Sequence, residues 1–227
     1  NDGRLDWYVT AIYKATFGGE GNRLFLNQGN DRFSERAAAV GVQDGRWGWG
    51  AAAVDLNHDG WLDIVETNGW PLEAQFQNQP ARVWLGQETG QFSEVASAVG
   101  LTHTLDGRGL LTFDYDNDGD QDIVITSNNE PLQLFRNELT GSDTRWLRIF
   151  LDTHALPGLP PNGIGAHVQV RVGSTTYHRT IQACATFLSQ SELSAHFGLG
   201  SAVRVDEIRV EWPNGLVTSV QDVMSNQ

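Results

Sequence analysis

At 227 residues the chain can hold one large domain or two small ones, since domains usually run to about 100 to 150 residues. Apolar residues make up 40 % of it and aromatics 10 %, which excludes wholesale disorder. Fifteen Lys and Arg stand against 28 Asp and Glu, and a net charge of −13 disfavours nucleic acid and anionic lipid as partners. No run approaches the roughly 20 apolar residues of a membrane span.

The first residues, Asn1-Asp2-Gly3-Arg4-Leu5-Asp6, align with His58-Asp59-Gly60-Trp61-Leu62-Asp63 and read as the tail of a metal loop whose first half is missing. There is no initiator Met, so a signal could have been removed with upstream sequence. Arg23-Leu24-Phe25-Leu26-Asn27 then matches Arg82-Val83-Trp84-Leu85-Gly86, and Phe33-Ser34-Glu35 matches Phe92-Ser93-Glu94. Ala39-Val40-Gly41 matches Ala98-Val99-Gly100, and Asp63-Ile64-Val65 matches Asp122-Ile123-Val124. Every pair is offset by 59 residues. A third copy begins at Leu132-Gln133-Leu134-Phe135-Arg136-Asn137. Short β-branched or aromatic segments bounded by Gly, Asn and Asp predict strands at 61–67, 82–85, 123–127 and 132–136. About 59 residues with some four short strands is the size of one propeller blade. Two blades cannot close a ring, so further blades or another chain are expected to complete it.

Asp55-Leu56-Asn57-His58-Asp59-Gly60-Trp61-Leu62-Asp63 and Asp114-Tyr115-Asp116-Asn117-Asp118-Gly119-Asp120-Gln121-Asp122 both read D-x-[DN]-x-D-G-x-x-D. Calcium wants six to eight oxygens at about 2.3 to 2.6 Å, and alternate positions of a tight loop can aim theirs at one point while Gly permits the turn. Two Ca2+ sites are expected. The side-chain ligands of one are Asp55, Asn57, Asp59 and Asp63; those of the other are Asp114, Asp116, Asp118 and Asp122; the carbonyls of Trp61 and Asp120 complete the shells. An EF-hand is excluded, because a strand follows each loop where that motif needs a helix.

In the tail, Val168, Val170 and Val172 alternate with polar neighbours, as do Ile208, Val210 and Trp212, predicting half-exposed strands. Pro213-Asn214-Gly215 predicts a hairpin turn. The lone Cys184 cannot form an intramolecular disulfide and reads as buried filler. Six His are scattered without zinc spacing, Ser189 and Ser191 lack a nucleophile elbow, and Phe197-Gly198-Leu199-Gly200 reads as a tight strand connection. No catalytic residues are expected. Of the eight Trp, most are expected in the blade cores, and Arg46 to Gly50 is the candidate surface for a protein or carbohydrate partner.

These loops resemble the FG-GAP (VCBS) repeat family, over about residues 1 to 138. The tail resembles the ASPIC/UnbV family through Arg145-Trp146-Leu147, Asn162-Gly163-Ile164-Gly165-Ala166, Leu188-Ser189-Gln190-Ser191, His196-Phe197-Gly198-Leu199-Gly200 and Glu211-Trp212-Pro213-Asn214-Gly215. The pairing in this order is similar to the bacterial relatives of cartilage acidic protein. The resemblance implies a secreted or cell-surface, calcium-binding, non-enzymatic adhesion or structural module. The expected fold is all-β: a partial propeller over 1–138 and a small β-sandwich-like domain over 139–227. The alternative is an enzyme or biosynthetic accessory protein using a propeller pocket.

Overall fold

A computed structural model describes residues 2–14, 16, 20–183 and 186–227. Cys184 lies outside the described residues, and so does Asn1 of the loop remnant. The 59-residue repeat becomes a series of antiparallel sheets. Strands β1 (Trp7–Val9), β2 (Arg23–Gly29) and β3 (Arg32–Glu35) form the first, in the order β1-β2-β3. After a single helical turn, α1 (Ala37–Val40), the second contains β4 (Gly48–Val54), β5 (Asp63–Asn68), β6 (Arg82–Gly86) and β7 (Phe92–Glu94), in chain order. The third contains β8 (Gly107–Phe113), β9 (Asp122–Ser127) and β10 (Glu130–Phe135). One four-stranded blade therefore stands between two three-stranded ones, and the described sheets do not close a ring.

The middle blade shows why these sequences make blades. Every residue of β5 is buried, because each face of the strand packs against a neighbouring sheet. Successive side chains in a strand point to opposite faces. Ile64 accordingly joins Leu24, Val40, Val42 and Trp84 on the side of the first sheet. Val65 joins Val83, Leu110 and Ile125 on the side of the third. Burying side chains of this size stabilises by roughly 1.5 to 3 kcal/mol each.

The tail builds two further sheets. Strand β11 (Arg145–Ile149) pairs with β14 (Ala195–Gly200); β12 (His167–Val172), β13 (Thr175–Thr180), β15 (Arg204–Glu211) and β16 (Val217–Met224) form a sheet in the order β13-β12-β15-β16. Between them lies a core of Leu147, Val168, Val170, Phe197, Val205, Val210 and Trp212. The alternation read from the sequence places Val168 and Val170 inside, with His167 and Gln169 only partly buried. The expected hairpin joins β15 to β16, with Glu211 opposite Val217.

One expectation for the tail changes. Phe197-Gly198-Leu199-Gly200 is not a tight connection but part of β14. Gly198 is there because a Cβ would lie 2.2 Å from the Cα of His58, so the strand can lie against the first loop only without a side chain. Ser189 and Ser191 cap the open edge of β8. Ser189 Oγ accepts from the Leu110 amide at 3.0 Å and donates to the Leu110 carbonyl at 2.9 Å, while Ser191 Oγ accepts from Thr112 at 3.1 Å. The hydroxyls supply the hydrogen bonds that a neighbouring strand would make.

Candidate metal centre

Both D-x-[DN]-x-D-G-x-x-D loops join the first strand of a sheet to the next: Asp55 follows β4 and Asp63 opens β5, while Asp114 follows β8 and Asp122 opens β9. The winding is the same in each. The fourth residue, His58 or Asn117, and the sixth, Gly60 or Gly119, adopt positive φ. The amide of that Gly donates at 3.0 Å to Oδ2 of the loop's first aspartate. The last aspartate ties the loop to the sheet. Asp63 accepts from Leu56 and Gly86, both at 2.8 Å. Asp122 accepts from Tyr115 at 3.0 Å and Asn137 at 2.8 Å. Asp6 accepts from Asn27 at 2.7 Å, the same bond one repeat earlier.

In the second loop, carboxylate oxygens of Asp114, Asp116 and Asp122 lie within 4.8 Å of one another. Oxygens around one calcium ion stand no more than about 5 Å apart, so this spacing is that of a ligand set. It is the only such group of acidic, His or Cys side chains among the described residues, and it can hold a metal ion. Asp118 lies outside it: its Oδ1 accepts from the Asp120 amide at 2.9 Å and its Oδ2 from Arg136 at 3.4 Å. Arg136 also pairs with Asp116 at 2.8 Å. Asp120 points its buried carboxylate at the Leu139 amide, 2.5 Å away.

The first loop is less converged. Asn57 donates to Asp59 at 2.9 Å, and Asp59 accepts from the Trp61 amide at 2.8 Å. Yet Asp55 Oδ1 is buried with no hydrogen-bond partner, the kind of orphaned acceptor that a cation satisfies. Burial raises the pKa of Asp55, Asp120 and Asp122 above the carboxylate range and lifts Asp63 to about 7. The loops thus bury carboxylates with too little countercharge, and a bound cation would favour their ionised forms.

The sequence reading missed the residues of the tail that meet these loops. Arg179 reaches Asp55 Oδ2 at 3.5 Å and the Gly60 carbonyl at 3.3 Å, and the Gly198 amide donates to the same Asp55 oxygen at 2.8 Å. Arg148 donates to Asp114 at 3.0 Å and to Asn117 at 2.9 Å. His196 Nε2 donates to the Gly119 carbonyl at 2.9 Å, and burial lowers its pKa to about 3, so the ring is neutral. The available signal was strand-spaced aromatic-x-Arg in Trp146-Leu147-Arg148 and Tyr177-His178-Arg179. It is too common a pattern to single out unaided.

The Arg46 to Gly50 stretch contributes to a second feature, on the aromatic side of the blades. Trp47 stacks on Trp70 with ring centroids 4.9 Å apart, and Phe76 packs edge-on at the same distance. Arg108 lies over Trp49 at 4.2 Å and is held there by Asp106. Leu72 and Leu188, nearly 80 % exposed, lie close in sequence to Trp70 and to Phe187, which contacts Trp49. Elsewhere Trp84 fills the core as expected, whereas Trp7 is 64 % exposed.

The family model for the FG-GAP-like repeat matches residues 1–66 and 74–125, just over half of the chain, and the one for ASPIC and UnbV matches 157–227. Among known proteins the chain is similar to cartilage acidic protein 1 of Mus musculus, 27 % identical over 87 % of this chain and 39 % of the relative. The Homo sapiens protein is 26 % identical over 87 % and 38 %, and that of Xenopus tropicalis 27 % over 86 % and 38 %. The chain thus spans about two fifths of the length of the curated relatives it matches. With the repeat visible in the sequence, the blades and the loops, the chain belongs to the FG-GAP-like repeat family and carries an ASPIC and UnbV region after its repeats.

Proposed function

We propose that this chain is a secreted, calcium-binding structural or adhesion module, in which the ions fix the blades and the blades present a surface to an extracellular protein or carbohydrate. The convergence of Asp114, Asp116 and Asp122 carries the reading. Oxygen-only ligands in a flexible loop suit calcium better than magnesium, whose small rigid octahedron usually retains several waters. Asp55, Asn57, Asp59 and Asp63 form the other site, with Asp118 and the carbonyls of Trp61 and Asp120 completing the shells. The orphaned Asp55 Oδ1 supports the first site. The proposed units are 1–138 for the blades and 139–227 for the tail domain.

The name of the relatives associates them with cartilage and with acidity, and this chain is itself strongly acidic, which suits a calcium-rich extracellular setting. The proposed partner surface is the Trp47, Trp49 and Trp70 cluster, since large half-exposed aromatics dominate binding hot spots. Calcium titration followed by calorimetry tests the metal reading: uptake of two ions per chain is expected, and none would refute it. Trp70→Ala should abolish capture of the partner from extracellular material without changing calcium uptake; undiminished capture would move the surface elsewhere.

A further inference from the structure

The tail meets each of the two loops with a pair of the same kind, an aromatic ring and an arginine. Trp146 and Arg148 stand two residues apart on β11, and Tyr177 and Arg179 two apart on β13, a spacing that puts each pair on one face of its strand. Each arginine takes the first aspartate of a loop: Arg148 that of Asp114 at 3.0 Å, and Arg179 that of Asp55 at 3.5 Å. Each ring takes the glycine of the same loop. A Cβ on Gly119 would lie 1.8 Å from Trp146 Nε1, and one on Gly60 would lie 2.3 Å from Tyr177 Cε1. Strands β11 and β13 belong to different sheets, so the 59-residue repeat does not generate this correspondence.

Both arginines approach the carboxylate from behind. They bind Oδ2, the oxygen that already accepts the glycine amide, and in Asp55 the other oxygen is left buried and unpartnered. A charge-assisted hydrogen bond fixes the carboxylate's rotamer before any cation arrives, and groups ordered in advance cost less to order on binding. In the second loop, Arg136 and Arg148 bring two positive charges to five aspartates, so the loop stays net negative and attractive to a cation.

We propose that these two aromatic-x-Arg pairs are positioning sets which the tail domain supplies to the two metal loops, so that cation binding and docking of the domain are thermodynamically linked. This rests on the reading of the loops as calcium sites. Linkage is reciprocal: docking raises affinity for the ion, and the ion strengthens docking.

The test is calcium titration of the full chain against R148Q and R179Q, with circular dichroism to verify the fold and D116N to identify which transition belongs to the second loop. R148Q should weaken the second site about tenfold or more and leave the first within about twofold, with the converse for R179Q. Unchanged or tighter binding at the variant's own loop overturns the proposal, and so does an equal loss at both sites, which would report general loosening. Uptake with unaltered affinities sinks this proposal alone, whereas no uptake by the unsubstituted chain sinks the calcium reading with it. Hydrogen exchange of the unsubstituted chain does not depend on a variant folding. Chelation should strip protection from residues 146–148 and 177–179 while β15 and β16 keep theirs; unaltered protection at both pairs overturns the proposal.

Discussion

The Tyr8 hydroxyl donates to Glu66 Oε2 at 2.5 Å, joining two blades through residues 58 positions apart. Asn22 donates to the same oxygen at 2.7 Å, and the other, Oε1, is buried without a partner against Gly45 and Gly48. Burial is the leading influence on this carboxyl and outweighs the two hydrogen bonds and the attraction of Arg82, so its pKa rises from 4.5 to about 8.

That shift predicts an alkaline weakness. Because the folded protein holds this proton more tightly than the unfolded chain, the stabilisation is present in full below about pH 4.5 and is lost as the pH rises through about 8. Thermal unfolding between pH 5 and 9 should show a decline in the unsubstituted chain that is shallower in Glu66→Gln, which keeps an acceptor for Tyr8 and Asn22. Parallel curves would show that Glu66 titrates normally.

Chelation should lower the melting temperature. Without a cation, Asp114, Asp116, Asp118, Asp120 and Asp122 crowd five carboxyl groups into one short loop, with Arg136 and Arg148 as partial countercharge. An ion that binds the folded loop and not the unfolded chain adds about 2.7 kcal/mol at a free concentration a hundred times its Kd. A melting temperature independent of free calcium, measured by scanning calorimetry, would argue against a structural ion.

Gly119→Ala should be far more damaging than Gly90→Ala. Both glycines have positive φ, 100° and 76°, but a Cβ on Gly119 collides with the Trp146 ring whereas one on Gly90 meets open space. The Gly90 change should cost about 1 to 2 kcal/mol for the backbone alone. The Gly119 change should exceed it by several kcal/mol or displace the tail domain. Equal losses in denaturant unfolding would mean that the ring contact contributes nothing.

Ser189→Ala and Ser191→Ala should each destabilise by about 1 to 3 kcal/mol, because each leaves an amide of β8, Leu110 or Thr112, without its partner. Urea unfolding midpoints measure this. Changes within a few tenths of a kcal/mol would indicate that water replaces the hydroxyls.

The blades and their loops are legible in the sequence, since both are written locally. Asp55 to Asp63 and Asp114 to Asp122 carry their turn in a Gly at position six, and the 59-residue offset carries the strand order of each sheet into the next. The tail strands were legible for the same reason, from the alternation around Val168 and Val210. What touches the loops is set by long-range packing. Arg179 meets Asp55 across 124 positions and Arg148 meets Asp114 across 34; neither pairing has a period, and an Arg in a strand looks the same whether it faces water or a buried carboxylate. The same holds for Gly198, whose glycine meant close approach to His58 and not a turn, and for Ser189 and Ser191, whose role exists only because β8 has an open edge. Close packing between distant segments sets these contacts, and local propensity carries no record of it.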